Sequence, residues 1–276
     1  MLDKYKRAVV RKPEKLVVEG ETGAGKTTFA CSSHTAKEPA FVINADDGGE
    51  NVFHKTGINL IHDCIPTGDV KENAEKWDGV MEALRALATE KSGVKRVIID
   101  SVDKLEILAQ AKVCSLHKLA SIEDMGYGKG YIYSRGEMAK LLSGLNYLRD
   151  TQAIQPILVC HTQIRTINKP TMEPYDSFIL KLHKSLAADV MEWADVILFV
   201  AFETIVKKID SGFNRKDSRA MQSGNRFLYT SGSMGVDAKN RFDLPAEIPA
   251  DWNEYRKLID GFWDGNKANS DTQKKG

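Results

Sequence analysis

No apolar run in this chain approaches the roughly 20 residues that a helix needs to cross a bilayer. A membrane-spanning helix is therefore not expected. The charge balance is also nearly empty. Thirty-nine basic and 38 acidic residues leave a formal charge of +1, too little to mark the whole surface as a nucleic-acid binder. Cysteine is scarce. Cys31, Cys64, Cys114 and Cys160 lie far apart, form no C-x-x-C pair and have no metal-ligand spacing, so they read as reduced thiols, some of them in the core. Internal repeats and clear linkers are missing as well, which favours one large domain. The N-terminal Met1–Arg7 is charged and no apolar stretch follows it, so no secretory leader is expected and the cytoplasm is the expected location.

What the chain does have is Gly20-Glu21-Thr22-Gly23-Ala24-Gly25-Lys26-Thr27, followed by Thr28. This is the full G-x-x-x-x-G-K-[ST] phosphate loop. Glycine lets the backbone turn tightly and bring its N–H groups to phosphate oxygens. Lys26 supplies a point charge for the β- and γ-phosphates, and the Thr27 hydroxyl suits Mg²⁺. ATP and Mg²⁺ are the expected ligands. A short apolar run, Leu16-Val17-Val18, precedes the loop, and a helix is expected from Lys26 to about Lys37.

Elsewhere, apolar runs alternate with helical periodicity. Strands are expected at Leu16–Glu19, Ala40–Ala45, Val94–Asp100, Ile157–His161 and Val196–Ala201, and helices at Asn73–Lys91, Asp103–Lys118, Tyr131–Asp150 and Ser185–Trp193. That alternation predicts an α/β fold with a mostly parallel central sheet flanked by helices. Phe202–Lys208 and Arg226–Thr230 read as a small antiparallel β edge around a basic loop. Between Glu203 and Arg226, the positives Lys207, Lys208, Arg215, Lys216, Arg219 and Arg226 outweigh Glu203, Asp210 and Asp217 and give that stretch a local positive excess. The polar residues 264–276 read as a disordered tail, leaving an N-terminal arm over 1–14 and one ATPase domain over 15–263.

Three further groups suit nucleotide chemistry. Val97-Ile98-Ile99-Asp100-Ser101 ends a buried strand in an acid, which can hold the metal's water shell. Asn44-Ala45-Asp46-Asp47-Gly48-Gly49-Glu50 is an acidic turn, with Asp46 and Asp47 as alternatives for polarising the attacking water and Glu50 a weaker one. His161-Thr162-Gln163-Ile164-Arg165 ends another strand, where Gln163 can respond to the γ-phosphate and His161 reads as a hydrogen-bonded strand-end histidine. Two stretches read as loops with the ingredients of a single-strand binding surface. One is Glu123–Tyr131, with Tyr127 and Lys129. The other is Arg165–Lys184, with Lys169, Lys181 and Lys184.

In this order the pieces resemble the RecA-like recombinase core. More closely, the chain is similar to phage-encoded RecA-like proteins of the Sak type, core-only ATPases implicated in single-strand annealing and recombination. The more specific matches are Tyr127-Gly128-Lys129-Gly130, Leu180-Lys181-Leu182-His183-Lys184, Glu192-Trp193-Ala194-Asp195 and Asp237-Ala238-Lys239-Asn240-Arg241. The resemblance implies a RecA-like P-loop ATPase stimulated by single-stranded DNA. Its subunits would form a filament or ring, with a single-strand DNA-binding protein as a further candidate partner. It implies that Gln163 senses nucleotide and that the two loops carrying Tyr127, Lys129, Arg165, Lys169, Lys181 and Lys184 bind DNA. It also implies that Lys239 and Arg241 reach the ATP of a neighbouring subunit. An annealing module with negligible turnover, or a phage DNA motor or helicase loader, are the alternative expectations.

Overall fold

β1 (Leu16–Gly20) is buried along its whole length because both of its faces carry apolar side chains toward a helical layer. It lies parallel between β5 (Gln155–Ile167) and β7 (Val196–Asp210), with Leu16 opposite Ile157 on one side and Val196 on the other. Such a doubly covered strand reads as a continuous apolar run. The structure is a computed structural model that describes residues 10–170, 172–210, 216–233 and 235–273, with side chains described outside 204–223 and 266–273.

The rest of the parallel sheet extends from β5 through β4 (Arg96–Asp100) and β2 (Ala40–Asn44) to β3 (Ile61–Asp63). Beyond β7 the sheet turns antiparallel, through β8 (Lys216–Tyr229) and β10 (Glu247–Pro249). β9 (Lys239–Asn240) pairs with the start of β7, and β6 (Tyr175–Leu180) folds back on the outer half of β5. The expected mostly parallel α/β sheet with an antiparallel edge is thus present.

Helices cover both faces. On one lie α3 (Val70–Thr89), α4 (Val102–His117), α5 (Lys129–Gln152) and α6 (Lys184–Trp193). Their stripes, such as Trp77, Val80, Leu84 and Leu87, join Met138, Leu141, Leu145 and Leu148 in one core with Val17, Ile43 and Ile99. Each such side chain contributes about 1.5–3 kcal/mol when fully buried. On the other face lie α1 (Lys26–Cys31), α2 (Glu50–Thr56) and α7 (Trp252–Gln273), whose Phe29, Phe53, Trp252, Tyr255 and Ile259 pack on Val18, Val42 and Ile98. All four cysteines are free and buried. Burial pushes the Cys64 thiol up to about 12, so it is no nucleophile at neutral pH.

Several boundaries differ from expectation. α1 stops at Cys31 rather than near Lys37, where the Ser32 hydroxyl bonds back to the Phe29 carbonyl. The stretch 165–184 is not a loop. β5 runs on to Ile167 and forms a hairpin with β6, pairing Arg165 with Ser177. Phe202–Lys208 is the continuation of β7, and its hairpin with β8 is interrupted by a register shift between Phe202 and Thr204. α7 continues through Gln273, into the segment read as a disordered tail; residues 274–276 lie outside the described ones. In the basic stretch, Arg215 lies outside the described residues, as do the side chains of Lys207, Lys208, Lys216 and Arg219.

Candidate nucleotide site

Strand order decides what can meet at the carboxyl edge of the sheet. β5 lies between β1 and β4, so the phosphate loop after β1, the acid ending β4 and the middle of β5 converge there. Open α/β sheets bind ligands at this edge. A cleft of about 330 Å³ lies here, lined by Thr22, Gly23 and Gly25–Thr28 of the loop. Asp46–Gly49, Asp100, His161 and Arg226 complete its walls.

The loop's glycines are sterically required. A Cβ on Gly20 would lie 2.6 Å from the Val200 carbonyl oxygen. Gly25 has φ +104°, and a Cβ there would lie 2.9 Å from Cδ and Nε of Arg226. Lys26 is buried, and its ammonium donates to the carbonyls of Gly20 at 3.0 Å and Glu21 at 2.9 Å. Burial lowers its pKa, against the raising influence of Asp100, Asp103 and Asp46. The Thr27 hydroxyl bonds to the buried Asp100, whose carboxyl is pushed up by burial despite that bond.

Thr27 and Asp100 therefore offer a hydroxyl and a carboxylate side by side at the loop. These are hard oxygen donors of the kind Mg²⁺ takes. Among the described residues there is no cluster of three or more His, Cys, Asp or Glu that could hold a metal by itself. A donor set of this size fits an ion shared with substrate phosphates.

Asp46 and Asp47 both line the cleft, but they differ. Asp47 is exposed. Asp46 is partly buried, accepts the Asp47 backbone N–H at 3.1 Å and lies 3.5 Å from His161 Nε2. On its other side, His161 Nδ1 lies 3.2 Å from Asp103, which also accepts the His161 backbone N–H at 3.1 Å. Burial works against the Asp103 charge, but these His161 bonds hold its carboxyl below the ordinary range. The Asp46–His161–Asp103 chain links the acidic turn, β5 and α4, and sequence reasoning had no local pattern for it. Glu50, the weaker candidate, is exposed at the start of α2 and does not line the cleft.

Gln163 does not line the cleft. It sits two residues farther along β5, on the His161 side of the strand and about 7 Å on, opposite Ile179 of β6. Tyr127 is fully exposed in the turn before α5, with φ +49°, and Lys129 is exposed beside it. Arg165, Lys169, Lys181 and Lys184 are exposed as well, with the Lys169 ammonium 5.7 Å from the Tyr175 ring centre. The Tyr131 and His183 rings stack at 4.5 Å and 5°, which brings the 126–131 turn against the 181–184 run.

Lys239 and Arg241 are at the other end of the sheet. Lys239 donates to the carbonyls of Met191 at 2.8 Å and Glu192 at 3.1 Å, at the end of α6. Arg241 pairs with Asp195 at 2.9 Å. One more feature lies beneath the loop. Glu19 is fully buried, and neither of its carboxylate oxygens has a hydrogen-bond partner. Burial, then the nearby Asp237, pushes its pKa well above the ordinary carboxylate value.

No curated protein matches the chain. No helix among the described residues is long and apolar enough to cross a membrane. The family model described as an AAA domain matches residues 12–242, a span that begins just before β1 and includes the phosphate loop, the acidic turn, Asp100 and His161. With that match over most of its length and a phosphate loop built on this sheet, the chain belongs to the AAA-domain family of P-loop ATPases.

Proposed function

We propose that this P-loop ATPase is a Mg²⁺-ATP-dependent, single-stranded-DNA-binding protein that promotes annealing or strand exchange in phage DNA recombination. The observation that carries the reading is the path of β5. One strand runs from His161 in the nucleotide cleft, past Gln163, to the exposed Arg165 in a hairpin beside Lys169. A γ-phosphate that shifts the cleft end of β5 also shifts its outer end, and ordering of a segment by a γ-phosphate is a known kind of switch. The Tyr131–His183 stack supports a shared surface, since it joins the Tyr127–Lys129 turn to Lys181 and Lys184. Exposed cations with an aromatic among them suit the phosphates and bases of a single strand.

Within this reading, the loop's N–H groups and Lys26 bind the triphosphate, and Thr27 and Asp100 hold Mg²⁺. The ion would neutralise charge that develops on the phosphates. Asp46 is the better-placed acid for the attacking water, since it faces the cleft and is oriented by His161. Gln163 relays the state of the cleft along β5. Subunits assemble into a filament or ring. The place of Lys239 and Arg241 at the far end of the sheet makes any nucleotide they touch a neighbour's.

The test is ATP hydrolysis by the purified protein with Mg²⁺, with and without single-stranded DNA. Stimulation of at least about tenfold is expected, lost in Lys26→Ala and in Asp46→Ala. Neutralising Arg165, Lys169, Lys181 and Lys184 together should weaken DNA binding and flatten its salt dependence. ATP hydrolysis that ignores DNA, with no DNA binding, would overturn the DNA-directed part of the reading.

A further inference from the structure

The cleft at the phosphate loop has a wall that comes from far away in the chain. Arg226 belongs to β8, on the antiparallel edge, yet its Cδ and Nε lie where a Cβ on Gly25 would come within 2.9 Å. Its guanidinium lies 4.6 Å from the centre of the Phe202 ring, across the β7–β8 pair. Among the described residues it has no carboxylate within ion-pair distance. An arginine held on an aromatic face, without a counter-ion and against a phosphate-binding turn, is a cation placed for an anion that comes from outside the chain.

Its backbone is fixed on both sides. The Arg226 carbonyl accepts the Ala250 N–H at 2.9 Å, which ties β8 to the segment leading into α7. The neighbouring Asn225 side chain donates to Glu203 at 3.0 Å, closing β8 on β7 just at the register shift. Arg226 also separates two clefts. One is the phosphate cleft described above. The other, about 480 Å³, continues past Gly25 and Thr28 between Phe29 of α1 and Ser32 just after it on one side and Phe227, Pro249 and Asp251 on the other. Both clefts share Gly25, Thr28 and Arg226.

We infer that Arg226 is a nucleotide-binding residue supplied in cis by the β7–β8 edge, and that it contacts the α- and β-phosphates of a nucleoside di- or triphosphate. The inference rests on the phosphate-loop reading. The assignment to the α- and β-phosphates follows from position. Backbone N–H groups of a phosphate loop cradle those two phosphates, whereas the γ-phosphate is met by the metal and by the lysine, which also reaches the β-phosphate. Arg226 lies against Gly25 and lines both clefts with Gly25 and Thr28, whereas Asp46 and Asp100 line the first cleft alone. Arg226 spans the point where the phosphates pass into the second cleft, which then takes the nucleoside. A planar guanidinium can grip two phosphate oxygens at once, which a lysine cannot.

The experiment is calorimetric titration of the full chain with MgADP and with MgATP, for wild type, Arg226→Ala, Arg226→Lys and Lys26→Ala. Thermal unfolding of each variant checks that the exposed Arg226 can be replaced without loss of fold. Arg226→Ala is expected to weaken both nucleotides alike, by about 10- to 100-fold, the loss typical of a charge-assisted bond. Arg226→Lys should recover part of that loss, since it keeps the charge but not the fork. Arg226→Ala with wild-type affinity would overturn the inference and leave the phosphate loop intact. A loss confined to MgATP would overturn the α/β assignment. Wild type that binds neither nucleotide would overturn the phosphate-loop reading itself, and this inference with it.

Discussion

The two edges of the central sheet differ in how completely their ionisable side chains are paired. At the amino edge the two buried acids among the described residues are saturated. Glu14, only 2% exposed, accepts from the Gln155 amide at 2.7 Å, from Arg256 at 2.8 Å and from the Tyr255 hydroxyl at 3.1 Å. Asp195 accepts the Lys15 backbone N–H at 3.0 Å and pairs with Arg241 at 2.9 Å and Arg149 at 3.6 Å. At the carboxyl edge Asp103 and Glu106 have donors from His161 and His183. Glu19, however, is buried with no hydrogen-bond partner, the exposed Arg226 has a ring and, among the described residues, no carboxylate within ion-pair distance, and the Lys26 ammonium donates only to loop carbonyls. Buried polar groups are normally paired, so unpaired ones need a reason. The contrast teaches that the buried acids of the amino edge are satisfied by folding, whereas the carboxyl edge keeps two cations, Lys26 and Arg226, that a phosphate ligand would complete.

The sharpest way to break this comparison is to unpair the amino edge. Glu14→Ala leaves the buried Gln155 amide and the fully buried Tyr255 hydroxyl without their acceptor, and leaves the partly buried Arg256 paired with Asp260 alone. A buried donor left unsatisfied costs about 1–3 kcal/mol, and here two lose their acceptor together. Urea denaturation should show a loss of that order. Affinity for MgATP in the folded protein should stay within about twofold, because Glu14 is at the opposite edge from the cleft. A stability loss below about 1 kcal/mol would show that the amino edge is not the structural end.

The second test works on the carboxyl edge and has the opposite sign. Glu19→Met replaces a buried, unpartnered carboxyl with an apolar side chain of similar size, beside Val17 and Cys160 of the same core. Burying a polar group without a hydrogen bond costs about 1–3 kcal/mol, so the variant should be more stable by about that amount. The pH dependence follows from the raised pKa. Below the ordinary value of 4.5 the carboxyl is protonated in both folded and unfolded chains. As pH rises above that value the unfolded chain releases its proton while the folded one keeps it. The folded state then binds more protons, and wild-type stability falls until the raised folded pKa is passed. The advantage of Glu19→Met should therefore widen as pH rises above 4.5 in parallel denaturation curves, up to the raised folded-state pKa. A gap that is constant with pH, or a variant less stable throughout, would show that Glu19 has a partner in solution.

How much of this could be read from residues alone depended on how local the signal was. Lys26, Thr27 and Asp100 were legible because a phosphate loop fixes its own positions and an acid that ends an apolar run marks a strand end. The stripes of α3 and α5 were legible from their period. α2 and the three-residue β3 were too short to carry a pattern. α7 did leave a signal that the polar tail masked: Trp252, Tyr255, Ile259, Phe262 and Trp263 recur at helical spacing, and Asp251 accepts the N–H groups of Asn253 at 2.8 Å and Glu254 at 3.1 Å. The β5–β6 hairpin was missed because its outer strand is half exposed and its residues alternate weakly. Arg226 could be read only as one cation of a basic stretch, with nothing local to tie it to the phosphate loop. It meets Gly25 only because β8 is brought to the loop by β7, which lies beside β1. The Asp46–His161–Asp103 chain was hidden in the same way, since its members come from three elements.

The smallest expected stability effect tests whether the amino edge is structural throughout. Lys239 donates to two carbonyls at the end of α6, a place where a cation contributes at most about 1 kcal/mol at a partly exposed site. Lys239→Ala should therefore lower stability by no more than that. If its only work is to finish α6, DNA-stimulated hydrolysis will change as little as stability does. The proposed assembly requires a different outcome, in which hydrolysis falls far more than stability. It also makes a second demand. Lys26→Ala lacks a working cleft but keeps Lys239, while Lys239→Ala keeps the cleft. Mixing the two inactive variants creates interfaces where an intact cleft faces an intact Lys239, so part of the activity should return. No recovery on mixing, at concentrations where the subunits assemble, would confine Lys239 to its own chain and make the division between the two edges complete.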